Sequence, residues 1–470
     1  MKLENIANCL NLEQITADKE LVTQIQTKLL GLGLYPGGKF VDGNYGTWTE
    51  GAIKNFCNAT KLPFRQFDKN FANNLLNLKQ LPSILQTDKN QIFQNLLKID
   101  TATQLSENET AAFLNRGIQN SKYFTQIADY PNRLAAKYES PSLPSTYSPY
   151  PKRGVIPLID NQALDFLHSD IQQACVCIGC FVNGQIQTRW LGKNALTLGE
   201  FWSATKIIPI LNVLSEANKR YYNIDIESCY ITNQKFQFLD LVQDIITYQE
   251  KITTSNSAAA TLKQFRTPED LELWVKNITQ NQQLIFRGKY GEEPFINQPK
   301  LIDSKTAQLL IESSLTRHDG QNSVSAYDLT RLVSMVGWHL HIADDSRLPG
   351  VQWQSLKSII KAMGNDRARY VEVALQSLGL ENVISSPVII SKLGDGYSEI
   401  RKRNEITYVA FVQFVDEHLK MNNQLGKLRT LAMTLRGAMP STNSQWIELD
   451  ARMATEVTEI IRLVVMEKLA

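Results

Sequence analysis

Two spacings of apolar residues alternate along this chain. Leu21, Ile25, Leu29 and Leu32 lie at i, i+4, i+8 and i+11, which places them on one stripe of a helix. Gly33 and the Pro36-Gly37-Gly38 turn end that helix. Val41-Asp42-Gly43-Asn44-Tyr45-Gly46 predicts a tight loop, after which Thr47 or Thr49 caps a helix carrying Ala52, Ile53 and Phe56. Residues 66–138 continue as helices rich in Asn, Gln and Leu, broken at Pro82, and packing or spacing is their expected role. Ser140 to Pro151 is rich in Pro and Ser and predicts an extended, semi-rigid linker. Beyond it the pattern changes. Ala174 to Phe181 is strand-like, and Asn183-Gly184 marks a hairpin. Helical segments fill the middle. Strands return at Val388 to Ser391, Ile406 to Val415 and Leu428 to Leu435, the first just after Pro387, and a helix from about Asp450 to Leu469 follows.

Strands near both ends of the last region, with helices between, predict an α+β domain whose antiparallel sheet joins distant segments. The expected organisation is multidomain: a small all-α domain over 1–65, a helical spacer over 66–138, a linker over 139–154 and the α+β domain over 155–470. A length of 470 residues supports two or three domains. The net charge of +2, with no dense Lys/Arg run, argues against a nucleic-acid surface. No apolar run approaches the length of a membrane-spanning helix.

Six cysteines suit a reducing compartment or a protein without disulfides. Cys175, Cys177 and Cys180 form their only cluster. Buried strand cysteines explain it better than a metal site, because no second ligand pair has the needed spacing. His339 and His341 beside Asp344 and Asp345 likewise suggest an exposed edge rather than a metal site. No metal and no cofactor is expected.

Phe201-Trp202-Ser203-Ala204-Thr205-Lys206 precedes the apolar run Ile207 to Leu214. A serine and a lysine three apart share a helix face, so the Lys206 amine is expected to reach the Ser203 hydroxyl. Such a hydroxyl needs an adjacent base to become a nucleophile. Ser358 and Lys361 have the same spacing but no visible partners.

The partners of Ser203 are what distinguish it. With Thr254-Ser255-Asn256, and with Lys392-Leu393-Gly394-Asp395 after a strand, residues 155–470 resemble the class A β-lactamases and penicillin-binding proteins in the order of their motifs. Asn322-Ser323-Val324-Ser325 resembles the Thr-rich turn of the class A enzymes. The resemblance implies that Ser203 is acylated and that Lys206 takes its proton. Thr254 would return a proton to the leaving nitrogen, Asn256 would bind the substrate amide, and Lys392 would attract a substrate carboxylate. Backbone N–H groups of Ser203 and Asp395, beside Gly394, would form the oxyanion hole, where one donor is worth on the order of 3 kcal/mol. Glu293-Pro294-Phe295-Ile296-Asn297 resembles an omega-loop segment and implies that Glu293 activates water. Leu393 departs from the family's Thr or Ser, at an expected cost of about 1.5–3 kcal/mol in carboxylate binding.

Residues 25–56 resemble a peptidoglycan-binding domain of type 1, with Asp42, Gly43, Tyr45 and Gly46 in the loop that the family uses. The expected partners are therefore peptidoglycan or its stem peptides, with β-lactams as ligands, and the expected function is a penicillin-recognising serine hydrolase. The alternatives are a degenerate scaffold that binds cell wall and an intracellular amidase or esterase. A cell-envelope location follows from the resemblance, whereas the first residues carry no apolar signal-like run and suggest the cytoplasm.

Overall fold

The computed structural model describes residues 1–470 except 33, 36–40, 61, 79–87, 108–110, 141–144, 233–235, 418–425, 441–442 and 470. The expected breaks at Gly33, Pro36 to Gly38 and Pro82, and part of the proposed linker, lie outside the described residues.

The predicted first helix is Lys19–Gly31, started by the Asp18 carboxylate, which accepts the Leu21 N–H at 3.0 Å. Its stripe packs with Ile53 and Phe56 of the helix Thr47–Thr60 in a small separate core. Residues 66–138 do not stand apart as a spacer. Phe67, Phe71 and Leu75 close the small core, with the Phe71 ring edge-on to Phe56 and Phe67. Ile92, Phe93 and Leu96, on the helix Lys89–Glu107, and Phe113 instead join the core on one face of the large sheet. The carboxylate of Asp450 fixes this junction by accepting the N–H groups of Phe113 and Leu114 at 2.8 and 3.0 Å. The proposed linker is also partly built in. Ser148–Pro149 pairs with Gln185–Lys193, an edge position that tolerates proline, and the Tyr150 ring is buried against Trp190 and Trp338.

The large sheet runs in the spatial order Ser148–Pro149, Gln185–Lys193, Ile171–Val182, Lys427–Pro440, Arg403–Asp416, Ile384–Ser398, with every neighbouring pair antiparallel. Ile159–Asp160 adds a short parallel pair to Gln185–Lys193. The sheet therefore joins segments more than 200 residues apart in sequence. Both of its faces are covered. Cys175, Cys177, Ile390, Val409 and Phe411 face the helical layer that includes Ala326–Gly337. Val176, Ile178, Ile389, Leu393 and Val412 face Tyr370–Ser377 and the closing helix Asn443–Val465. Strand alternation makes this sorting automatic and explains the near-continuous apolar runs in these strands. The register shifts between Ser385 and Val388, where Pro387 cannot donate to the ladder.

His339 and His341 are not at an exposed edge. They are 3% and 5% exposed in a single turn. His339 stacks on Trp353, and the His341 Nε2 lies 2.8 Å from the Leu134 carbonyl. Burial lowers the affinity of both rings for a proton.

Candidate active site

The site lies where the edge strand Ile384–Ser398 meets the turn that opens the helix Ile207–Arg220. Their approach depends on Gly394. A Cβ there would sit 2.5 Å from the Ala204 nitrogen, 2.6 Å from the Phe201 carbonyl oxygen and 2.9 Å from the Ser203 nitrogen. Only glycine permits this contact. Gly396 repeats the pattern against the Trp202 ring. Trp202 itself holds φ +50, a left-handed conformation costly for a large side chain, and its indole N–H donates to Glu405 at 2.9 Å. The turn that presents Ser203 is thus fixed on both sides.

Beside it is a cleft of about 460 Å³, lined among others by Ser203, Tyr248, Thr254, Asn256, Glu292, Arg367 and Asp395. Lys206 is buried beneath it and donates to Ser255 Oγ at 2.9 Å and to Asn256 Oδ1 at 2.6 Å. Those are its hydrogen bonds; the one to Ser203 expected from the spacing is not among them. Burial, with the neighbouring charge of Lys392 second, holds the Lys206 amine well below the ordinary lysine range. That shift favours the uncharged amine, the form a base requires.

Thr254 caps the helix Ser255–Lys263 by accepting the Ser257 N–H at 3.1 Å, and it donates its own proton to Glu292. The hydroxyl that meets Lys206 belongs to Ser255, one residue further on. Asn256 donates to Glu292 at 3.0 Å. Glu293, the expected water-activating base, points elsewhere. Its carboxylate pairs with Lys289 at 3.0 Å and its side chain is 76% exposed, whereas Glu292 lines the cleft. The Glu-Glu pair is offset by one residue from the expected register.

Lys392 also differs from expectation. It is fully buried, donating to Tyr248 Oη at 2.5 Å and to its neighbouring carbonyl at Leu393 at 2.8 Å, with its ammonium 3.9 Å from the Tyr248 ring centroid. Desolvation pushes this amine down to about 7. Tyr248 thus stands between Lys392 and the cleft. Its phenol donates to the Leu393 carbonyl at 2.7 Å, and it shares the cleft wall with Ser203. The ring is set there by a left-handed backbone, φ +58, at the end of the helix Phe238–Thr247. Leu393 points into the core behind the sheet, so a hydroxyl at that position would not line the cleft. Two cations do line it: Lys289, paired with Glu293, and Arg367, 4.2 Å from the Tyr248 ring and bonded to Asp395 at 3.1 Å. No motif signals Tyr248 or Arg367 in the sequence.

The loop Asp42 to Gly46 is closed on itself. The Gln26 carboxamide accepts the Asp42 and Gly43 N–H groups at 3.1 and 2.9 Å and donates to the Asp42 carboxylate at 3.1 Å. Asp42 also accepts the Asn44 N–H at 2.9 Å. Gly43 has φ +71 with Thr23 against it, and the Tyr45 hydroxyl is buried. Among the described residues, no group of three or more His, Cys, Asp or Glu side chains is placed to hold a metal. No helix among them is long and apolar enough to cross a membrane.

No family model matches the chain, and no curated protein matches it. Among solved structures, the chain is similar to a variant of the class A β-lactamase of the last common ancestor of Gram-negative bacteria. It is 13% identical, over 65% of this chain and 98% of that one, with a TM-score of 0.37. A class A β-lactamase from Bacteroides cellulosilyticus is 12% identical over 64% and 96%, with a TM-score of 0.36. A β-lactamase from Streptosporangium roseum is 10% identical over 65% and 98%, with a TM-score of 0.37. Scores of this size describe a distant likeness.

Proposed function

We propose that the chain is a serine acyl-transfer enzyme acting on an amide of the β-lactam or cell-wall-peptide type. The observation that carries this is the placement of Ser203, on a fixed turn, beside Tyr248 on the wall of one cleft, with the amines of Lys206 and Lys392 buried behind that wall near the Tyr248 ring. In this reading Ser203 Oγ attacks the amide carbonyl. Its proton passes to Tyr248 Oη, whose own proton moves to the neutral fraction of the Lys392 amine; the C–N bond then breaks, the same relay returns a proton to the leaving nitrogen, and the acyl group stays on Ser203 as an ester. The backbone N–H groups beside Gly394 receive the negative charge that develops on the carbonyl oxygen. Asn256, oriented by Lys206 and Glu292, binds the substrate amide, and Arg367 attracts an acidic group of the substrate. Glu292, in the cleft, replaces Glu293 as the carboxylate for deacylation. The N-terminal helical region would bring the enzyme to peptidoglycan, in a cell-envelope setting.

A second reading is that of a scaffold without turnover, favoured by the position of Tyr248 over Lys392. Turnover of a chromogenic cephalosporin separates the two. Hydrolysis by the wild type and none by Ser203→Ala supports the enzyme; equal rates for both proteins contradict it.

A further inference from the structure

A second and larger cleft, about 700 Å³, lies away from Ser203, walled by the helices Thr47–Thr60, Lys89–Glu107 and Tyr370–Ser377 with the segment around Phe113 to Asn120. Carboxamides dominate its wall: Asn55, Asn58, Asn95, Asn115, Asn120 and Gln376. Asn55 is 5% exposed, and its amide nitrogen has no hydrogen-bond partner. A buried donor left in this state is unfavourable unless something in the cleft accepts from it. The floor is apolar, with Ile92, Leu96 and Phe113 each at most 5% exposed. Charge is sparse. Arg116 is tied to Gln376 at 2.7 Å, leaving Lys54 and Glu381 as the other charged groups on the wall.

We infer that this groove binds a neutral glycan bearing N-acetyl groups. Carboxamides donate and accept at once, as hydroxyl and acetamido groups do, and the apolar floor suits the face of a sugar ring. An extended peptide would need a free strand edge, and the wall here is made of helices and a turn segment, with no strand among the residues that line it. The site is distinct from the Asp42 to Gly46 loop, whose Asp42 and Gly43 are bonded to Gln26, and it does not depend on the chemistry of Ser203.

The test is isothermal titration of the full chain with a β-1,4-linked N-acetylglucosamine tetramer. Wild type and Ser203→Ala bind equally. Asn55→Leu, which keeps the shape but not the amide, binds at least about tenfold more weakly, the loss expected for one unmade hydrogen bond. Asn95→Arg, on the exposed wall, blocks the groove and serves if Asn55→Leu does not fold. An absence of binding by wild type overturns the inference, as do equal affinities for all four proteins. Binding of a D-Ala-terminated stem peptide, but not the sugar, that Asn95→Arg abolishes also overturns it. None of these outcomes touches the acyl-transfer reading, which stands or falls on Ser203.

Discussion

Gly394→Ala is the most demanding test of how the Ser203 turn is held. The added Cβ would lie 2.5 Å from the Ala204 nitrogen, against about 3.4 Å for the lower end of ordinary contact. All three of its nearest neighbours are backbone atoms, so no side chain can swing aside. Gly394 is also held in register opposite Thr407, which opposes a shift of the whole strand. Strand and turn must therefore part by roughly 0.9 Å, and overpacking of this kind costs about 1–3 kcal/mol. The kinetic effect is larger, because a misplacement of about 1 Å at a reacting centre costs on the order of 10²-fold in rate. The assay is the time course of penicillin acylation by intact-mass spectrometry, with a thermal melt in parallel. The expected variant is folded, melts a few degrees lower and acylates about a hundredfold more slowly. A variant acylated at the wild-type rate with an unchanged melt refutes the close approach.

Three further substitutions separate the roles assigned to the cleft. Tyr248→Phe removes the hydroxyl between Ser203 and Lys392 and is expected to slow acylation by about 10²–10⁴-fold. Wild-type acylation should rise with pH through about 7, as the Lys392 amine, surrounded by Tyr248, Asp366, Arg367 and Asp395, loses its proton; an identical pH–rate profile in the variant contradicts the relay. Glu292→Gln should slow release of the acyl group, seen as a longer-lived adduct, and Glu293→Gln should not; the reverse result restores Glu293 as the base. Asp100 and Asp450 form a buried carboxyl pair, and desolvation together with the Asp450 charge raises Asp100. A raised folded value gives stability that is full below the ordinary carboxyl value near 4 and lost as pH rises toward the raised one. Urea midpoints of wild type should therefore fall from about pH 5 to pH 8 more steeply than those of Asp100→Asn; parallel curves would sink this assignment.

The strands were the most legible part of the chain. Val388 to Ser391, Ile406 to Val415 and Leu428 to Leu435 fall within the observed strands because both sheet faces are buried and β-branched residues fill them. Residues 92–134 were opaque because their partners are more than 200 positions away, as with Phe113 and Asp450. At the site, spacing placed Ser203 and Lys206 on one turn but could not say where a long side chain would point. Lys206 turns to Ser255 and Asn256 instead. Tyr248 and Arg367 reach the cleft only through tertiary packing, which leaves no periodic trace. Glu292 was within reach of sequence reasoning, since it adjoins Glu293 and a one-residue shift decides which of the two faces inward.

Everything proposed for the cleft rests on Ser203 being an acylable nucleophile. Incubation with penicillin, followed by intact-mass spectrometry and peptide mapping, tests it directly. One penicillin adduct per chain is expected, located on Ser203 and absent from Ser203→Ala. No adduct on wild type, or an equal adduct on Ser203→Ala, would contradict it.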